Sequence, residues 1–137
     1  MSVQASGQGS INTATLRGMK RDAVPIAALT AYDYTFATLL DKQGVDVVLV
    51  GDSVGMVFHG HDTTVPVTMD DMIYHTRLVS RGVDRALLMM DLPFMSYLDP
   101  EKALDNAARA LQEGNAHMVK LEGGSGQLDV VSTLAGH

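Results

Sequence analysis

Three stretches of this chain repeat one pattern: a glycine, a short polar step, an apolar run and then a carboxylate. They are GVDVVLVGDS from Gly44, GVDRALLMMDLPF from Gly82 and GNAHMVKLEGG from Gly114. The acid falls eight residues after the glycine at Asp52, nine at Asp91 and eight at Glu122. An uninterrupted apolar run of this length, opened by glycine, predicts a strand buried on both faces. A fourth run, Pro25 to Thr30, precedes Tyr32 and Asp33.

Helical segments are expected between the runs. Tyr34 to Gln43 carries Phe36, Leu39 and Leu40 at helical spacing, with Gly44 as its stop. Thr68-Met69-Asp70-Asp71 resembles a capping box and opens a helix to Arg81, stopped by Gly82. Asp99-Pro100 is an N-cap followed by a proline at the first helical position, and its helix ends at Gly114. Leu128 to Leu134 starts one more helix, and Thr13 to Lys20 forms a short helix before the first strand. Alternation of buried strands and helices makes a parallel sheet. That order suits a (β/α)8 TIM barrel or a doubly wound sheet. The absence of G-x-G-x-x-G after any strand counts against a dinucleotide-binding sheet.

The expected fold class is therefore α/β, with this chain supplying about the first four βα units of a barrel. A full barrel takes about 250 residues, against 137 here. Residues 1–12 are expected to be a flexible tail, and residues 13–137 the N-terminal half of a barrel that is cut short. An unpaired edge at Ala116–Leu121 would then favour association.

Composition narrows the chemistry. At 46% hydrophobic and 19% charged residues the chain should build a packed core. A net charge of -6 argues against a nucleic-acid surface. With no cysteine, any metal must be held by oxygen or imidazole. No apolar run reaches membrane-spanning length and no secretory signal opens the chain, so the cytoplasm is the expected compartment and no membrane the expected partner.

In a parallel barrel all strand C-termini lie on one rim, so Asp52, Asp91 and Glu122 should converge there. Convergent carboxylates repel unless a cation offsets them, and a hard ion such as Mg²⁺ suits the set. Each acid taken singly could instead cap the next helix. Lys120 lies two residues before Glu122, hence on the same strand face. It can meet a substrate carboxylate or enolate, or form a structural salt bridge with one of the acids. Gly51-Asp52-Ser53-Val54-Gly55 is a tight turn that brings backbone N–H groups and the Ser53 hydroxyl toward an anion. His59 and His61 form His-x-His, either a zinc pair or residues that order their loop by hydrogen bonding. His75 is read as a surface or interface residue within a helix. His117 sits at the opposite face, and His137 has no readable role. Met95 is read as a pocket wall.

Five blocks carry a family resemblance: Thr30-Ala31-Tyr32-Asp33, Val50 to Gly55, Gly60 to Thr64 followed by Pro66-Val67-Thr68, Met90 to Met95, and Met118 to Gly124. In this order the chain resembles the first half of the ketopantoate hydroxymethyltransferase family. The resemblance implies a Mg²⁺ ion held by Asp52 and Asp91, with Glu122 acting through water. It implies that Ser53 and Lys120, beside Asp52 and Asp91, bind an α-keto acid. It further implies 5,10-methylenetetrahydrofolate as one-carbon donor, 3-methyl-2-oxobutanoate as acceptor through a Mg-stabilised enolate, and ketopantoate, a precursor of pantothenate and coenzyme A, as product. Lys120 would stabilise charge in catalysis. A homo-oligomer, a decamer by the resemblance, is implied too. The family's general-base glutamate and a histidine after the fifth strand lie beyond His137, so the chain alone is expected to be inactive. The alternatives are a lyase of the isocitrate lyase/phosphoenolpyruvate mutase type, an inactive half-barrel that only associates, and a His-x-His zinc hydrolase. Lyases of that type usually carry a catalytic cysteine motif.

Overall fold

The computed structural model describes residues 9–137. The elements run α1 (Thr13–Arg21), β1 (Ala28–Thr30), α2 (Tyr34–Lys42), β2 (Val47–Val50), α3 (Val54–Val57), α4 (Met69–Ser80), β3 (Leu87–Asp91), α5 (Pro100–Gln112), β4 (Met118–Lys120) and α6 (Leu128–Ala135), with a 3-10 turn at Ser125–Gln127. The strands form one parallel sheet in the order β1-β2-β3-β4. Among the described residues no further strand joins the outer edge of β1 or β4. This is the α/β arrangement expected of a barrel half. No described helix is long and apolar enough to cross a membrane.

The two central strands, β2 and β3, bury two faces for different purposes. Val48, Val50, Leu88 and Met90 point to one side, where Ala37, Met72, Val79 and Ala110 of the helices complete the main core. Val47, Leu87, Met89 and Met118 have the other parity and meet Ile11 and Leu16 in a smaller cluster. Asp91 and Lys120 share that second parity, because successive strand side chains alternate. They therefore stand on the face that would look into a barrel.

The starts and stops follow local chemistry. Asn12, Asp33, Thr68 and Asp99 accept hydrogen bonds from the first turns of α1, α2, α4 and α5. The capping box at Thr68 closes with Asp71 as its partner. The three repeat glycines serve two different needs. Gly44 adopts a positive φ of 82°, the left-handed helix stop expected of it. Gly82 and Gly114 are needed for close approach: a Cβ there would lie 2.8 Å from the Tyr34 carbonyl oxygen or 2.6 Å from that of Ala110.

Some boundaries differ from expectation. β1 spans only Ala28–Thr30 rather than the whole run from Pro25, and all three of its residues are exposed. The GDSVG turn continues into the single-turn helix α3, which was not expected. Of the expected tail, residues 1–8 lie outside the described residues. Ile11 packs at 8% exposure and donates its N–H to the Arg85 carbonyl, so the packed domain already includes it. At the end of the sheet remote from the acids, the Asp41 carboxylate accepts the N–H groups of Asp84, Arg85 and Ala86. Arg85 in turn pairs with Asp46 at 3.0 Å.

Candidate metal and keto-acid site

The strand ends deliver Asp52, Asp91, Lys120 and Glu122 to one rim. β3 and β4 are in register with Asp91 beside Lys120. The Lys120 ammonium lies 2.7 Å from Asp91 Oδ1 and 3.4 Å from Glu122 Oε1. The Asp52 backbone N–H donates to Asp91 Oδ2 at 3.3 Å. Gly51 makes that approach possible, because a Cβ there would sit 3.0 Å from Ser53 Oγ and 3.3 Å from Asp91 Oδ2. Ser53 Oγ shares a hydrogen bond with the Tyr32 hydroxyl at 2.7 Å.

The acids are not helix caps. α3 has no side-chain cap, and neither the 3-10 turn after Glu122 nor α6 has one. The capping acids are Asp33 and Asp99, which precede α2 and α5. Asp52, Asp91 and Glu122 are thus left without the structural task that could have explained them. Asp91 is buried, and its Oδ1, although close to Lys120, makes no properly oriented hydrogen bond. Burial pushes its carboxyl above the usual carboxylate range, while the Lys120 ammonium and the Asp52 N–H pull the other way. Lys120 is itself desolvated, yet its two acidic neighbours hold it above the ordinary lysine value. Of the two readings of Lys120, the ion pair with Asp91 matches the structural salt bridge.

A cleft of about 110 Å³ is lined by Asp52, Thr64, Asp91, Leu92, Phe94, Tyr97 and Glu122. It is far below the ~300 Å³ at which pockets for drug-sized ligands begin. Such a space suits a small ligand rather than a large one. Glu122 is at the margin, with its side chain 80% exposed. Among the described residues no three His, Asp or Glu side chains stand close enough to hold one ion in this arrangement. The positive charge beside Asp91 is supplied by Lys120.

The donor chemistry nevertheless fits a hard cation. A buried carboxylate oxygen without a hydrogen bond, a second carboxylate on the adjacent strand end and a third at the rim are all oxygen donors, and an ion such as Mg²⁺ completes its shell with waters or substrate oxygens.

Several residues near the cleft were not assigned a task from sequence. Tyr32, Thr64, Phe94 and Tyr97 contribute to it or to its hydrogen bonds. The aromatic residues of the loop after β3 line the cleft, whereas Met95, the expected wall, does not. Met95 adopts a positive φ of 63°, a costly conformation for a side chain of its size. His75 is corrected from surface or interface residue to core residue: it is 2% exposed on the α4 face that also buries Met72, Thr76 and Val79. Its Nδ1–H donates to the Tyr32 carbonyl at 2.8 Å, and its Nε2 lies 3.1 Å from His59 Nε2. His59 thus orders its loop. His117 accepts the Leu88 N–H, and His137 contacts the Thr133 carbonyl.

Among solved structures, 2,3-dimethylmalate lyase, a PEP mutase/isocitrate lyase superfamily member, matches 82% of this chain and 37% of its own at a TM-score of 0.61 and 16% identity. Oxaloacetate acetylhydrolase matches 83% of this chain and 40% of its own at a TM-score of 0.57 and 13% identity. At these identities the likeness is one of fold. Curated relatives are far more similar. The 3-methyl-2-oxobutanoate hydroxymethyltransferase of Halorhodospira halophila is 55% identical over 96% of this chain and 47% of the relative. That of Salinibacter ruber is 54% identical over 90% of this chain and 47% of the relative. The chain thus spans about half the length of the curated relatives it matches. With residues 10–137 matched by the family model described as ketopantoate hydroxymethyltransferase, the chain belongs to that family.

Proposed function

We propose that this chain supplies the metal-holding and keto-acid-binding part of an enzyme that transfers a hydroxymethyl group from 5,10-methylenetetrahydrofolate to 3-methyl-2-oxobutanoate, giving 2-dehydropantoate. The observation that carries the reading is the uncapped carboxylate set at the strand ends, with Asp91 buried against Lys120. In this reading Asp52 and Asp91 hold a divalent cation and Glu122 reaches it through water. The bound cation supplies Lewis-acid withdrawal of electrons from the keto acid, which makes its C3 proton easier to remove.

The chain's own residues do the rest of the positioning. Lys120 pairs with Asp91 when the cleft is empty and turns to the keto-acid carboxylate when it is filled. Its ammonium then lies where negative charge gathers as the C3 proton leaves. Ser53 donates its hydroxyl hydrogen to a keto-acid oxygen and is itself oriented by the Tyr32 hydroxyl. Leu92, Phe94 and Tyr97 limit water on one side of the cleft. The proton acceptor and the folate-binding surface are proposed to come from barrel units beyond these residues. The open edge of β4, beside the apolar groove lined by Leu111, Val119, Val131 and Leu134, is where such units would pack. A homo-oligomer and a cytoplasmic location belong to the same proposal.

The test is exchange of the C3 deuterium of 3-methyl-2-oxobutanoate into water, followed by NMR. The chain is assayed with Mg²⁺ and with a polypeptide covering the unmatched part of the Halorhodospira halophila relative. Metal-dependent exchange on mixing supports the reading. Association without exchange favours a chain that acts only by binding. Zinc-dependent hydrolysis that needs His59 and His61 favours the zinc alternative.

A further inference from the structure

His59 and His61 of the loop after α3 and His75 of α4 are not used by the reading above, yet His59 and His75 form a pair. A backbone carbonyl can only accept, so the contact with the Tyr32 carbonyl requires the proton of His75 to sit on Nδ1. Neutral His75 then presents a bare Nε2. His59 Nε2, at 3.1 Å, must carry the hydrogen that bridges them. Both tautomers are dictated by one carbonyl.

The pair joins three pieces of the rim. His75 belongs to α4. Tyr32 belongs to the segment after β1, and its hydroxyl binds Ser53 beside Asp52. His59 belongs to the loop between α3 and α4, which also carries Thr64 into the cleft wall. Phe58 packs edge-on against the His75 ring at 4.9 Å, shielding the contact.

We propose that His75 is a positioning residue that clamps the loop of residues 58–67 through His59 and sets the Tyr32–Ser53 hydroxyl pair through the Tyr32 carbonyl, and that the clamp opens when both imidazoles are doubly protonated. The pair has room for three ring protons. A fourth places two N–H groups face to face across the same short distance, with nothing to accept either. The other titratable groups around the pair are His61, whose ring lies 5.7 Å from that of His59, Tyr74, whose ring lies 5.3 Å from that of His75, Tyr32, and Asp71 one turn earlier on α4. Positive charge on His61 works with opening and negative charge on Asp71 against it. The proposal rests on the cleft being the binding site, but its test needs neither metal nor keto acid.

The experiment uses the 137-residue chain with His59→Gln and His59→Phe, since His59 is exposed and its replacement spares the core. Ring-nitrogen NMR near neutral pH should show His75 protonated on Nδ1 alone and His59 on Nε2. Hydrogen exchange of residues 58–67 should rise about tenfold on acidification, the effect of losing one half-buried hydrogen bond. His59→Gln should stay protected through the same acidification, because its amide can donate or accept. His59→Phe should exchange rapidly throughout. The proposal is overturned by an Nε2–H tautomer at His75, by His59→Phe exchanging like the wild type, or by an acid step in His59→Gln equal to that of the wild type. The last result would move the switch to His61 or to the capping box of Asp71.

Discussion

Replacing Gly55 by alanine tests why the turn after Asp52 needs its second glycine. The residue is buried in α3, and a Cβ would lie 2.4 Å from Val67 Cγ2. Val67 is 3% exposed and has little room to yield. Overpacking of this kind costs about 1–3 kcal/mol, and the better helix propensity of alanine returns up to about 1 kcal/mol. The net loss should be about 1–2 kcal/mol. Val67→Ala alone removes two methyl groups from the core and should cost about 1.5–3 kcal/mol. In the double variant the new methyl enters the space that Val67 vacates. The double loss should therefore fall short of the sum by about 1–2 kcal/mol. Urea unfolding with linear extrapolation measures all four corners of this cycle. Additivity to within ~0.5 kcal/mol would refute the claim that Gly55 is required by contact with Val67.

Asp91→Asn should raise stability at neutral pH while abolishing the proposed cation binding. Burial foremost favours the protonated carboxyl, so folding loses stability as pH rises through the raised pKa of Asp91. The gain from asparagine should vanish on acidification below the unfolded-state pKa, and thermal melts across pH read it directly. Lys120→Met should tighten Mg²⁺ binding, because the ammonium at 2.7 Å no longer competes for Asp91, and should weaken keto-acid binding; calorimetric titrations separate the two. Asp41→Ala strips the acceptor from the N–H groups of Asp84, Arg85 and Ala86. It should cost about 1–3 kcal/mol for the buried Ala86 N–H and less for the more exposed Asp84 and Arg85, seen as a fall in the urea midpoint.

Much of the fold was legible because its signals are local. Each strand reads as an apolar run, and Thr68 and Asp99 announce their helices through side-chain bonds three residues long. The gathering of Asp52, Asp91 and Glu122 followed from topology alone: parallel strands bring equivalent ends together whatever lies between them. What sequence could not supply was distance. Nothing local says that Lys120 rests against Asp91 at 2.7 Å while Glu122 stays exposed, because that depends on strand register and side-chain rotamer. His75 was misjudged for a related reason. A histidine within a polar helix stretch reads as surface, and only the Tyr32 carbonyl, 43 residues away in sequence, makes its burial tolerable. Gly82 and Gly114 were recognised as stops, but the close backbone approach that requires them is a tertiary fact.

In the proposed site, acids from two neighbouring strand ends share one hard cation. Titration of Mn²⁺ into the chain, read by the loss of the free-ion EPR signal, measures this sharing without any catalytic step. One ion should bind per wild-type chain and be displaced by Mg²⁺, with affinity reduced at least about tenfold in both Asp52→Asn and Asp91→Asn. Binding that survives unchanged in Asp91→Asn, or that depends on Asp52 alone, would contradict it.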